Sequence, residues 1–500
     1  MWTALVGMLL IGCAVGPDFK PPGAPDARTY TAAPLPEETA AAPVAGGQAQ
    51  RFTMGEEIPH QWWLIFHSEA LDSLIGRALV QNPTVSAAQA ALRRARETYR
   101  AQFGTVWFPS VGADLAGRRQ RTSGASSGSS SGASTFNLYN ASVSVSYLLD
   151  IFGGGRRELE ALQSQVDYQR FLLEGTYLAL TANIVTSAIQ EASLRAQLQA
   201  TRDILADQAR AYELVKSQFE LGGVSRPDVL AQETQLAQTR ATLPPLEKAL
   251  YQTRHQLATL IGQLPDRAAE LPEFSIQTLT LPEDLPVSLP SALVRQRPDI
   301  RASEALLHAA SAQVGVATAN LYPKITLTGS YGTASTRTQD LFRSDTIFWN
   351  LGAGLAQPLF QGGTLLAERR AAIAAYDQAA ALYRQTVLQA FLEVANVLQA
   401  LASDARTLEA QSQAEIAARD TLQLTEKQFQ FGAVNYLSLL NAQRQHQQTR
   451  ISLVQAQAAR YADSAALFQA LGGGWWNPSP PAAGSGPASM PVKQEEAGKK

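Results

Sequence analysis

Two periodicities divide the chain. Tyr139, Ala141, Val143, Val145 and Tyr147 alternate with Asn140, Ser142, Ser144 and Ser146. Ile325, Leu327 and Tyr331 alternate with Thr326, Thr328 and Ser330, and Ile347, Trp349, Leu351, Ala353 and Leu355 alternate with polar or small residues. A noisier stretch at Trp107, Val111, Ala113 and Leu115 keeps phase through Ser110, Gly112 and Asp114. Period two predicts four strands, each with one apolar and one wet face. Elsewhere the period is seven. Tyr177, Ile184, Leu198, Leu205, Tyr212 and Phe219 lie on one grid, broken only by Glu191; Val387, Val394, Leu401, Leu408, Leu422 and Phe429 lie on another, broken by Glu415. Residues 156–220 and 366–430 contain no proline. They predict two coiled-coil-like helices, each roughly 98 Å long at ~1.5 Å per residue.

The same order is written twice. Asn82-Pro83 opens a helical stretch that ends near Phe108-Pro109, and Arg297-Pro298 opens another that ends near Tyr322-Pro323. QFELGGV (218–224) matches QFQFGAV (428–434), and the offset between copies stays nearly constant from one matched pair to the next. Two repeats, 72–262 and 292–471, are expected, joined by a proline-rich linker over 263–291. Each holds a helix (72–103; 292–321), a strand pair (about 106–150; about 324–360), a long helix and a closing helix (227–261; 437–471). The short helices sum in length to the long ones, so each copy reads as one long rod and one composite rod. Pro244-Pro245 should bend the first closing helix locally.

Alternation alone fits a soluble sandwich as well as a membrane sheet. Four strands cannot close a barrel, and an open sheet edge in lipid leaves backbone groups unpaired. Strands of about ten residues match a tilted bilayer crossing, and their terminal Tyr and Trp suit an interfacial belt. If they form a barrel, several chains share it: two give eight strands, three give twelve. The segments between paired strands, 117–135 and 332–346, are polar and read as exposed loops; the arginines of GRRQR (117–121) read as a solvated or lipopolysaccharide-facing surface rather than a ligand site.

The only cysteine among 500 residues, Cys13, ends the apolar run Trp2–Ile11. That run is too short to span a bilayer, so residues 1–12 read as a signal peptide. Leu10, Ile11 and Gly12 before Cys13 are similar to a bacterial lipobox, making Cys13 a lipidation candidate within an anchored segment, 13–71. Ala14 in place of Asp suggests sorting to the outer membrane. No Lys or Arg precedes the run. A buried structural cysteine is the alternative. Net charge is −2, with no basic excess for nucleic acid. The five histidines are scattered, and no HExxH, GxSxG, P-loop or cysteine cluster appears; no enzyme activity, cofactor or metal is expected. Residues 472–500, ending in GSGPASMPVKQEEAGKK, read as a disordered tail.

QWWLIFHSEALDSLIGRALVQNPTV (61–85), CAVGPDFKPP (13–22), the segment 289–332 and QPLFQGG (357–363) resemble outer-membrane efflux lipoproteins of the OprM/NodT type, the TolC-like outer membrane factors. The likeness covers nearly the whole chain except the tail. It implies a mainly α fold with a transmembrane β-barrel: a homotrimer with twelve strands and a helical tunnel across the periplasm. It also implies a passive exit duct for small molecules, partnered by a periplasmic adaptor and an inner-membrane RND transporter. By resemblance the gate maps to Leu437, Ser438 and Asn441 on the second helix-tip turn, with Asp228 on the first. Asn441 and Ser438 stand where relatives carry aspartate, so a less cation-selective constriction is expected. The alternative is that Leu437 is ordinary helix packing. The turns Gly222, Gly223, Val224, Ser225 and Gly432, Ala433, Val434, Asn435 resemble adaptor-docking sites, or are plain connectors. Asn140, Ser142, Ser144, Ser146, Thr326, Thr328 and Ser330 would line the barrel lumen. A duct for type I protein secretion and a periplasmic coiled-coil scaffold are the rival readings.

Overall fold

The computed structural model describes residues 14–123 and 133–477. In chain order the elements are β1 (Arg51–Met54), α1 (Glu69–Gln81), α2 (Pro83–Trp107), β2 (Ser110–Thr122), β3 (Ser134–Leu149), α3 (Gly154–Glu220), α4 (Arg226–Ala241), α5 (Leu243–Leu260), β4 (Asp284–Val287), α6 (Pro290–Gln296), α7 (Pro298–Ala319), β5 (Lys324–Ser335), β6 (Ile347–Ala356), α8 (Thr364–Gln430) and α9 (Tyr436–Ala470). The two long helices, α3 and α8, have 67 residues each.

Prolines cut three of the shorter helices expected from the sequence. Asn82 before Pro83 and Arg297 before Pro298 are both extended, because a proline ring clashes with a helical residue ahead of it. So 72–103 is two helices, α1 and α2, and 292–321 is α6 and α7. Pro244-Pro245 interrupts its helix at one residue, Thr242, which keeps right-handed helical backbone (φ −81°, ψ −18°) between α4 and α5. Trp107 belongs to the last turn of α2 and not to a strand; Pro109 ends that helix and β2 starts at Ser110. The linker 263–291 is not structureless. It carries β4, which pairs in parallel with β1 and buries Leu285 and Val287. Both strands are only four residues long, too short for alternation to register. The expected tail starts too early: Leu471 to Gly474 are buried, and Trp475 donates its indole N–H to Gln296 O at 2.6 Å. The later tail and residues 1–12 lie outside the described residues.

The chain forms two compact units. One takes Thr84–Thr176, Pro298–Gln389 and the described residues before Pro25; the other takes Pro25–Pro83, Tyr177–Arg297 and the described residues from Ala390 on. The first holds an antiparallel sheet in the order β2-β3-β5-β6. Its long strands stand in register, Ser110 opposite Ser146 and Ser144 opposite Ser330. All four helix connections are at one end of the sheet and both strand-to-strand loops at the other. The second unit packs α1 and the tryptophan segment against α9: Trp62, 1% exposed, stacks on Phe468 at 5.6 Å. It also explains Glu191, the polar break in the first heptad grid. That carboxylate is 0% exposed and accepts from Arg254 at 2.5 Å and Arg195 at 2.9 Å, while Arg254 also donates to the carbonyls of Ala268 and Leu271. A charge at a core position is tolerable because its partner arrives from another helix already satisfied by backbone acceptors.

Candidate functional site

Backbone register decides which strand residues share a face. Asn140, Ser142, Ser144 and Ser146 sit opposite Ala116, Asp114, Gly112 and Ser110 on one side. On the other, Ser144 faces Ser330, Ser146 faces Thr328 and Leu148 faces Thr326. Since directly opposed residues point to the same side, all seven candidate lumen residues lie on one face, joined by Asn350, Gly352 and Gly354 of β6. The opposite face is apolar, with Tyr139, Val143 and Val145 beside Tyr331, Trp349 and Leu351, and it is uncovered: Leu115 is 78% and Leu351 81% exposed. An apolar surface of that extent marks a membrane or a partner. Among the described residues, β2 and β6 each have one free edge.

The second candidate region is the pair of turns that end the long helices. Gly222 (φ +78°) and Gly432 (φ +70°) are left-handed. Gly222 N–H donates to Phe219 O at 2.9 Å and Gly223 N–H to Gln218 O at 2.8 Å; Gly432 and Ala433 repeat both bonds with Phe429 and Gln428 at the same distances. These are Schellman caps, which satisfy the last helical carbonyls. The next helix then starts with a mirror exchange of roles. In the first turn the Asp228 carboxylate accepts from Ser225 N–H (3.0 Å) and Ser225 Oγ (2.6 Å). In the second, Asn435 Oδ1 accepts from Ser438 N–H (3.0 Å) and Ser438 Oγ (2.9 Å). Asp228 and Ser438 are therefore each committed to capping their own helix.

Behind the caps lies a small core of Val215, Tyr436, Leu439 and Leu440, against which Val224, Val229, Leu422 and Phe429 pack. It brings the two turns together. Leu437 stays out of it, 59% exposed, and Ser438 and Asn441 are exposed beside it. Within the chain, Leu437 is not ordinary packing. Gly222, Gly223, Ser225, Gly432, Ala433 and Asn435 are exposed; Val224 and Val434 are half-buried. A 490 Å³ cleft opens next to this core, with Gln208, Glu426, Phe429, Leu439, Gln443 and His446 in its wall. Burial, and then the charge of Asp207, push the Glu426 carboxyl above its ordinary value.

The family model for outer membrane efflux proteins matches residues 74–263 and 289–473. The chain belongs to that family. A member from Pseudomonas aeruginosa, the pyoverdine export outer membrane protein OpmQ, is 34% identical over 83% of this chain and 87% of its own. The toluene efflux pump outer membrane protein TtgC of Pseudomonas putida is 29% identical over 95% of both chains. The solved outer-membrane channel OprN superposes with a TM-score of 0.83 at 28% identity, over 93% of this chain and all of that one. The fold is thus that of the TolC-like outer-membrane channels.

For an outer membrane efflux protein, the sequence pattern misses one set of residues. Tyr436 donates its hydroxyl to Gln232 Oε1, and Gln232 donates on to Gln208 O at 3.2 Å. Arg444 Nε donates to Gln235 Oε1 at 2.7 Å. Gln208, Gln232 and Gln235 are buried. The tie joins α3, α4 and α9 directly behind the caps. Burial first, and the Asp228 charge second, push the Tyr436 phenol well above its ordinary value, so it stays a neutral donor. Glutamines recurring on one face of α4 are the available signal, hidden because Gln is frequent throughout these helices. Cys13 lies outside the described residues. The stretch after it is pinned: Val15 N–H donates to Phe152 O at 3.0 Å, and Arg157 binds Asp18 at 2.7 Å and Val15 O at 3.2 Å.

Proposed function

We propose that this family member is the outer-membrane exit duct of a tripartite pump, three copies of which close their sheets into one twelve-stranded barrel. The observation that carries this is a four-stranded sheet with an uncovered apolar face and two unpaired edges. Hydrocarbon does not tolerate an unpaired edge, so β2 of one copy must pair with β6 of the next. The face bearing Asn140, Ser142, Ser144, Ser146, Thr326, Thr328 and Ser330 then lines a water-filled passage. Those seven side chains are small and neutral, and the charges that share the face, Asp114 and Arg118 among them, are of opposite sign, so the lining imposes little selectivity, which fits relatives whose names range from pyoverdine to toluene. Choice of cargo falls to an RND-type transporter in the inner membrane, reached through a periplasmic adaptor. The exposed turns 222–225 and 432–435 and the adjoining cleft offer that adaptor a rigid, capped surface. Acylation at Cys13 would anchor the chain beside the pinned segment Ala14–Phe19.

Passive conduction needs closure at rest. Leu437 and Asn441, exposed on one face of the first turns of α9, form the constriction, and the Tyr436–Gln232–Gln208 tie holds it shut. Leu437→Ala tests this in cells: it should admit a bulky antibiotic that the outer membrane normally excludes, without loss of protein from the membrane. Unchanged antibiotic sensitivity, with the variant present at wild-type level, would remove Leu437 from the gate.

A further inference from the structure

Three arginines stand near the loop end of β2, and the register separates them. Arg118 lies opposite Leu138, on the face of Asn140 and Ser142; Arg119 lies opposite Asn137 and Arg121 opposite Thr135, on the apolar face of Tyr139 and Val143. Both are exposed, and neither forms an ion pair with a described residue. The acids at this end of the sheet, Asp340 and Asp345, are already held by Arg343 at 3.7 and 3.2 Å.

The apolar face can be measured in rows. It starts at the helix end with Leu149, Ile325 and Leu355 and ends with Gly117, Tyr139 and Ser335. From Leu149 to Tyr139 along β3 is ~33 Å at ~3.3 Å per residue, or about 25 Å along the membrane normal at a tilt of ~40°. That is the height of the lipid-facing band of an outer-membrane barrel. Arg119 and Arg121 fall one and two rows past it, ~5 and ~10 Å further along the normal, at headgroup depth. The helix-side rim is different: Phe108, Ile151, Leu359 and Phe360 are exposed there, and its Arg156 is paired with Asp150 at 3.3 Å.

We propose that Arg119 and Arg121 form a docking surface for the phosphates of outer-leaflet glycolipid, that is, lipid A. A guanidinium donates to phosphate oxygens in pairs. Two of them on alternate positions of one strand, ~7 Å apart, suit a headgroup with two phosphates. The basic rim is the loop end, remote from every helix connection, which selects the outer leaflet. The proposal rests on the barrel reading given above.

The test uses full-length protein, wild type and the double variant Arg119→Gln/Arg121→Gln, in nanodiscs of zwitterionic phospholipid. Lipid A, its dephosphorylated form or phosphatidylglycerol is titrated in. Lipid retained per assembly is counted by native mass spectrometry, and conductance is recorded in parallel. Wild type should prefer lipid A over both comparators. The double variant should bind lipid A about 30-fold more weakly at unchanged conductance, and Arg118→Gln should retain wild-type affinity. Equal lipid A affinity in wild type and double variant, equal affinity for the dephosphorylated form, or an equal loss in Arg118→Gln would each overturn the docking surface while leaving the duct standing. A wild-type protein that appears in the same spectra as single chains rather than assemblies would instead overturn the barrel and the docking surface with it.

Discussion

Alanine at the two tip turns should separate residues that need left-handed backbone from those that do not. Gly222 and Gly432 hold φ +78° and +70°, and a Cβ built on either meets nothing within 4 Å. The cost of Gly222→Ala or Gly432→Ala is therefore backbone strain alone, ~1–2 kcal/mol for an L-residue kept left-handed. Gly223 has no positive φ, its Cβ would touch Gln218 O at 3.4 Å, and its counterpart in the second turn is already Ala433. Gly223→Ala should then be neutral, or stabilising by ~0.4–1 kcal/mol through a less flexible unfolded chain. Amide hydrogen exchange around residues 218–226 reads the difference locally. Gly222→Ala should lower protection by about 5- to 30-fold, the exponential of that strain, while Gly223→Ala should leave it level or raise it. Equal loss in both, or none in Gly222→Ala, would refute the cap as the source of tip rigidity.

Asn441→Asp places an acid at the constriction; cation-over-anion permeability in planar bilayers should rise several-fold at low salt and fall back as salt screens it, and an unmoved reversal potential would take Asn441 out of the pore. Arg254→Ala leaves the buried Glu191 carboxylate with Arg195 as its one cationic partner and should cost about 2–3 kcal/mol, whereas the double variant Glu191→Leu/Arg254→Met should recover most of it in denaturant melts. Burial, and then the neighbouring Asp404 carboxylate, push Asp463 up to about 7. A raised carboxyl pKa favours the fold in its protonated form, so this contribution is complete below the ordinary value of about 4 and is lost as pH rises through about 7. Asp463→Asn should therefore melt higher than wild type at pH 8, with the gap closing by pH 5; parallel pH profiles would contradict this.

Strand faces are legible because alternation survives in the register without a slip: the seven polar positions named from pattern alone share one side of the sheet. The long helices are legible because heptad runs of such length, free of proline, leave few alternatives. What escapes depends on partners distant in sequence. Glu191 reads as a fault in a heptad until Arg254, on a different helix, supplies its counter-charge. The ties of Tyr436 to Gln232 and of Arg444 to Gln235 join residues from different repeats. β1 and β4 are too short to show a period and meet only because the chain returns. Trp107 misleads because an aromatic beside an alternating run looks like its first member, while Pro109 sets the boundary. Asp228 and Ser438 read as gate residues, yet each makes a local capping bond, and the spacing Ser225-x-x-Asp228 is itself the capping-box signature, so this one is legible in the sequence.

The native mass of the detergent-extracted protein tests the central claim most directly. Three chains in every particle, with no stable single-chain species, is the expected result, because the apolar sheet face and both free edges must be covered. A monodisperse single chain that stays folded in plain buffer would contradict it.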